Sequence, residues 1–177
     1  PATPTASTAP AESPLPRRGM IRFAVVKGDQ NFVIGQALHR WTHDGKTYML
    51  STVTETTGVA AMFRAVRITQ ASNGEIDAQQ GLRPRAFHTE KNGVAGDSAG
   101  FDWQNMKLTL SSGAQREVAL QPGAQDMLSM FYQLAATTAG QHATTGHNDL
   151  MVTTGRKFER YGFDLLGEER LRLKLGQ

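Results

Sequence analysis

Apolar residues recur at every second position through most of this chain. Ile21, Phe23 and Val25 alternate within Met20 to Lys27. Tyr48 and Leu50 share a face of Lys46 to Thr57, and Met62, Val66 and Ile68 share a parity within Ala60 to Gln70. A period of two predicts half-buried β-strands. Turn residues separate these runs: Gly28-Asp29-Gln30, Asp44-Gly45, Gly58, Asn73-Gly74, Asn92-Gly93, Gln104-Asn105 and Ser112-Gly113. Asp44-Gly45 is the signature of a type I′ hairpin, and Asn73-Gly74 and Asn92-Gly93 read as further turns. Pro84 demotes the start of Leu82 to Glu90 to an edge or a bulge, because it lacks a donor for the ladder. Short strands follow at Ala99 to Trp103, Met106 to Ser111 and Arg116 to Leu120. Turns recurring about every 10 to 14 residues are the rhythm of an antiparallel meander.

One stretch departs from this period. In Gln125 to Ala136 the residues Met127, Leu128, Phe131, Leu134 and Ala135 fall on one face of a helix, with Ser129 and Gln133 on another. Gln121-Pro122-Gly123 ends the preceding strand, and Asp126 places a carboxylate at the positive end of the helix dipole. A lone helix among strands buries its stripe on the sheet. The fold expected is therefore mainly β: a strongly curved antiparallel sheet, an incomplete barrel, with one packed α-helix. Gly140 to Asn148 reads as a mobile polar loop. Strands resume at Leu150 to Thr153, Lys157 to Leu166 and Glu168 to Leu175. The last sets Leu171, Leu173 and Leu175 against Arg170, Arg172 and Lys174, then stops at Gly176-Gln177 without a hairpin partner. The domain thus reads as incomplete at its C-terminal end.

Five of the seven prolines lie in residues 1–16, among Ala, Thr and Ser. That composition offers too little apolar area to offset ordering entropy, so residues 1–17 read as a disordered linker and 18–177 as a single β-rich domain. A linker implies something on its N-terminal side. No apolar run approaches the roughly 20 residues that span a bilayer, and no charged and apolar leader pattern opens the chain.

Charge and cysteine content narrow the chemistry. The formal net charge is +3, with thirteen arginines against six lysines. Cysteine is absent, which excludes disulfides, thiolate metal sites and a cysteine nucleophile. Arg64, Arg67, Arg83 and Arg85 form the densest basic region, but Phe63 and Phe87 are poor evidence for interleaved aromatic platforms, so no nucleic acid is expected as a partner. His39 and His43, on a strand, stand about 13 Å apart and cannot share a metal ion. His142, His147 and Asp149 match no ligand spacing. Ser129 lies in the helix, and no nucleophile elbow or phosphate loop is present. Glu55, Asp102, Asp126, Glu159 and Asp164 are too scattered to pair on sequence grounds. Neither cofactor nor catalytic residue is expected.

The motifs taken together carry a family resemblance. They are Ile34-Gly35-Gln36-Ala37 leading to Trp41, Asp44-Gly45-Lys46-Thr47-Tyr48, Thr54-Glu55-Thr56-Thr57-Gly58, Ser72-Asn73-Gly74 and Gly81-Leu82-Arg83-Pro84. Phe101-Asp102-Trp103, Gly123-Ala124-Gln125-Asp126 with Leu128-Ser129, Gly155-Arg156-Lys157 and Gly167-Glu168-Glu169-Arg170-Leu171 complete the set. Spread over most of residues 19–175, they resemble the bacterial envelope family termed domain of unknown function 3108. The resemblance implies export or membrane tethering through a proline-rich segment, and further strands beyond Gln177. Its likeness to the periplasmic lipoprotein carriers is one of architecture alone.

These readings converge on a periplasmic domain, exported or tethered to the inner membrane through its N-terminal linker. The leading expectation is a non-catalytic envelope binding or carrier module for an amphiphilic or glycan ligand. The alternative is a structural or interaction module that docks an envelope partner through a sheet edge. Met20 and Val26 oppose Ile21, Phe23 and Val25, so both strand faces carry apolar residues. Such a sheet is covered on both faces or holds an apolar ligand. The candidate binding residues are Arg64, Arg83 and Arg85 for an anionic headgroup, and Met130, with Met62 and Met127, for a flexible chain.

Overall fold

A computed structural model describes residues 16–28, 32–138 and 146–167. Its main element is an antiparallel meander of β1 (Arg18–Lys27), β2 (Phe32–His43), β3 (Thr47–Thr56), β4 (Arg67–Asp77), β5 (Gly81–Lys91), β6 (Val94–Asp102), β7 (Lys107–Ser112) and β8 (Ala114–Ala119), in that spatial order. Among the described residues the sheet does not close, as expected of an incomplete barrel. β9 (Gln125–Asp126) pairs in parallel with β10 (Gly146–Thr153), which pairs antiparallel with β11 (Phe158–Leu165). Among the described residues there are two helices: α1 (Gly58–Phe63) and α2 (Ser129–Thr138). Among the described residues no helix is long and apolar enough to cross a membrane.

The register explains where the core lies. Antiparallel partners point to the same face, so Trp41, Leu50, Ser72, Phe87, Ala99 and Leu110 form one rung across β2 to β7. This rung, with Tyr48, Phe101, Leu108 and Leu128, holds most of the buried core. α2 lies over it. One rung away on the same face stand His39, Thr52, Gln70 and Thr89, which are polar or titratable. The sheet is thus greasy under α2 and becomes polar beyond it. Trp41 also reaches the chain's entry: its indole donates to the Pro16 carbonyl at 2.9 Å and lies over Gly19, where a Cβ would fall 2.0 Å from the ring.

Several local expectations are corrected. Residues 58–63 are helical rather than the start of a strand, and β4 begins only at Arg67. Asn73-Gly74 lies inside β4, not at a turn. Gly74 faces Pro84 across a bulge, and a Cβ there would meet the Arg83 carbonyl at 2.2 Å. Glycine serves close approach here, and the bulge accommodates Pro84, as its missing donor requires. The turn falls instead after Asp77, whose carboxylate accepts from the Gln79 and Gln80 amides. Asp44-Gly45 is not type I′, since only Gly45 has positive φ; the Asp44 carboxylate caps the loop by accepting from Lys46 and Thr47. Asn92-Gly93 does hold both residues at positive φ. Residues 146–148 of the expected polar loop belong to β10. The linker up to residue 15, residues 139–145, and the strand at 168–175 lie outside the described residues.

The helix itself presents a different face from the one expected. Ser129, Met130 and Gln133 are buried, while Phe131 is 54% exposed. Hydrogen bonds of Ser129 and Gln133 fix this face, and Met130 is buried beside them.

Candidate functional site

The polar network beneath α2 comes from strand and helix together. Asp126 Oδ1 accepts from the Leu128 and Ser129 amides at 2.8 and 2.9 Å, starting the helix as an N-cap does. Its Oδ2 accepts from the Ser72 hydroxyl at 2.6 Å, and the Asp126 amide donates to Ser129 Oγ. The Tyr48 hydroxyl closes the set, 3.4 Å from Ser72 Oγ. At the far side, Gln133 accepts from the Leu82 amide, donates to the Gln80 carbonyl and seats against Gly81. Burial pushes the Asp126 carboxyl above its usual range, and burial likewise raises the Tyr48 phenol. Ser72, Asp126 and Ser129 are all within 1% of full burial. A substrate does not reach them, and their work is to pin the helix to the sheet.

The accessible chemistry lies on the opposite face. A shallow cavity of about 210 Å³ is lined by Arg22, Gln36, Leu38, Arg40, Val53, Glu55 and Arg67. Its origin is register: Arg22, Leu38 and Val53 form one rung across β1 to β3, and Gln36, Glu55 and Arg67 the next across β2 to β4. Glu55 is committed, accepting from Gln36 at 2.7 Å and pairing with Arg67 at 2.8 Å. Arg22 and Arg40 have no acidic partner among the described residues. Met20 pairs with Arg40 on this face and is 57% exposed. The result is an apolar floor of Leu38 and Val53 beneath two uncompensated guanidinium groups.

The basic residues singled out in the sequence do not meet. Arg67 lies at one end of β4, while Arg83 pairs with Glu75 at the other, eight residues or about 26 Å away. Arg64 caps the C-terminal end of α1. Arg83 stacks over Trp103, its guanidinium carbon 4.9 Å from the ring centroid, and Arg85 forms an ion pair with Glu75. Met130 is buried on α2, whereas Met62 is 85% exposed on α1, so no common methionine lining forms. Arg22 and Arg40 escaped notice because only the strand pairing brings them together. Alternation alone already set Arg22 opposite Ile21 and Phe23.

His147 and Asp149, expected in a loop, stand on β10 facing Asp164 of β11. His147 Nδ1 lies 2.6 Å from Asp164 and Nε2 lies 3.2 Å from Asp149, and both carboxylates raise the imidazole's pKa. The trio is exposed, and the Asp149 carboxylate also lies 3.7 Å from Arg160. His39 is partly buried, which lowers its pKa, and packs edge-on against Phe23. Asp102 caps the β6–β7 turn, Glu159 pairs with Lys157, and His142 lies outside the described residues. No group of three or more His, Cys, Asp or Glu among the described residues is placed to hold a metal ion.

Residues 21–177 match the family described as "Protein of unknown function (DUF3108)", and the chain belongs to it. No curated protein matches the chain, and no solved structure does.

Proposed function

We propose that this family member is a non-catalytic binding module of the cell envelope, and that its ligand is an anionic amphiphile. The observation that carries this reading is the cavity on the face away from α2. Its Leu38 and Val53 floor favours the first methylenes of a chain, while Arg22 and Arg40 favour a phosphate or carboxylate headgroup. A glycan would call for aromatic platforms, which the cavity lining lacks, and the Glu55 carboxylate there is already engaged by Gln36 and Arg67. The location rests on the proline-rich composition of residues 1–16. We read that segment as a tether to the inner membrane and the domain as periplasmic.

The test is vesicle binding. Phosphatidylglycerol vesicles should bind saturably and more weakly as salt rises, whereas phosphatidylcholine vesicles should not. Each arginine near an anionic surface contributes on the order of 1 kcal/mol. Arg22→Glu combined with Arg40→Glu should therefore weaken binding at least roughly tenfold while the thermal unfolding midpoint stays put. Equal binding by the variant, or no saturable binding by the parent, would overturn the proposal.

A further inference from the structure

The two edges of the large sheet differ. β8 is short and guarded: Lys107 pairs with Glu117 at 3.1 Å, and Arg116 donates to the Arg156 carbonyl of the β10–β11 turn. β1 has ten residues, and among the described residues its one neighbour is β2. It pairs without interruption from Arg18 to Val25. Met20 and Val26 are exposed, as are Ile21 and Phe23 on the other face. Short length and a covering loop are among the ways edges are protected, and among the described residues β1 has neither; its charges are all basic, and its one bulge lies near its far end, between Val25 and Val26.

The backbone parity of this edge is fixed. The His43 amide donates to the Arg17 carbonyl at 2.8 Å. In an antiparallel ladder, bonded and non-bonded pairs alternate. The odd residues Gly19, Ile21, Phe23 and Val25 therefore spend their amides and carbonyls on β2. Those of Arg18, Met20, Arg22 and Ala24 point outward.

We propose that β1 accepts an extended segment of another protein as a ninth, antiparallel strand, with acidic and apolar residues alternating along it. A row of outward amides and carbonyls is complemented by a strand. The charge selects its composition: β1 carries Arg18, Arg22 and Lys27 and no acid. Arg18 and Arg22 share one face, so acidic side chains of the added strand lie opposite them. Apolar side chains then lie opposite Ile21 and Phe23 on the other face. A second copy of this chain fits poorly. It doubles the cations and brings no anion, and the register centred on Arg22 sets that side chain against itself.

The probe is a capped eight-residue peptide alternating valine and glutamate, followed by amide exchange on the intact chain. Saturable binding is expected, with exchange at Met20, Arg22 and Ala24 slowed at least roughly tenfold. A valine–lysine peptide should bind at least roughly tenfold more weakly. N-methylation of the glutamates should abolish binding, because those amides face β1, whereas N-methylation of the valines should not. Ala24→Pro, which deletes one outward amide, should lose the peptide and keep vesicle binding. That retention separates this proposal from the cavity, since the vesicle result stands or falls without β1 backbone contacts. Three results would each overturn the proposal: slow exchange of these amides in the free chain, indifference to glutamate N-methylation, or a dimer abolished by Ala24→Pro with which the peptide does not compete. Should Ala24→Pro not fold, the exchange and N-methylation readouts decide.

Discussion

The two helices are held by opposite means. α2 buries Ser129 and Gln133 at the centre of its contact and leaves Phe131 outside. α1 is almost wholly apolar, Gly58-Val59-Ala60-Ala61-Met62-Phe63, yet none of its residues is buried. It is an excursion between β3 and β4 clamped at its base, where Thr56 Oγ1 donates to the Arg64 carbonyl and accepts from the Val66 amide. Apolar content alone does not dock a short helix. An unanchored helix of this length is marginal in water, so α2 depends on partners supplied by the strands: Ser72, and the backbone around Gly81. Its apolar anchors are Met130, at 5% exposure, and Leu128, just ahead of its first turn.

The largest expected effect separates two residues that a helical wheel groups together. Leu128 is 4% exposed within the core. Leu128→Ala should cost about 2–5 kcal/mol, as large-to-small core changes do. Phe131→Ala should cost less than about 1 kcal/mol, because half of that ring already meets solvent. Chemical denaturation of both variants checks this. Equal costs would mean that α2 packs through the face its hydrophobic spacing suggests.

A second effect tests whether polar contacts truly anchor α2, and it depends on pH. Burial raises the folded pKa of Asp126 above the unfolded value. The sign follows from linkage: the folded state holds the proton more tightly, so this contribution is fully present below the unfolded carboxyl pKa. It is lost as pH rises through the folded value. Asn keeps the shape, accepts from the Leu128 and Ser129 amides, and offers its own amide to Ser72. Asp126→Asn cannot ionise. Its melting temperature relative to the parent should therefore climb as pH rises above about 4, where an unperturbed carboxyl ionises. A difference that is flat with pH would show that the site stays charged or stays protonated throughout. Asp126→Ala, which strands two amides and a hydroxyl, should be destabilising at every pH, by roughly 1–3 kcal/mol.

Strand positions were readable because alternation is a local property: Tyr48 and Leu50 do share the buried face, and Asn92-Gly93 does turn. The failures trace to contacts made at long range. Gly74 is small because β5 passes close, not because the chain reverses there. Ser129 and Gln133 are polar, so a hydrophobic period assigns them to solvent; their partners Asp126, Gly81 and Leu82 exist only once the strands are in place. The cavity was illegible for the same reason. Arg22, Leu38 and Val53 are scattered in sequence, and three strands must be in register before they share a rung. The basic residues near one another in sequence, Arg64 to Arg85, are drawn apart by the length of β4.

The smallest expected change in stability carries the most about α1. Phe63 is 88% exposed and Met62 85%, so replacing both by Ser removes little packing from the folded chain. Met62→Ser with Phe63→Ser should shift stability by no more than about 0.5 kcal/mol. A loss above about 2 kcal/mol would mean that α1 is docked, and the contrast with α2 would collapse. Binding should respond differently. Thr56, which clamps the base of α1, directly follows Glu55, and Glu55 pairs with Arg67 at the rim of the cavity. The apolar tip and the basic Arg64 beside it therefore stand at the same end of the strands as the proposed ligand site. Short apolar segments next to basic residues enter the headgroup region of a bilayer. Fully burying a phenylalanine contributes about 1.5–3 kcal/mol. The double variant should thus bind phosphatidylglycerol vesicles severalfold more weakly at unchanged melting temperature. Unchanged vesicle binding would confine the amphiphile to the Arg22–Leu38–Val53 cavity and leave α1 without a part in it.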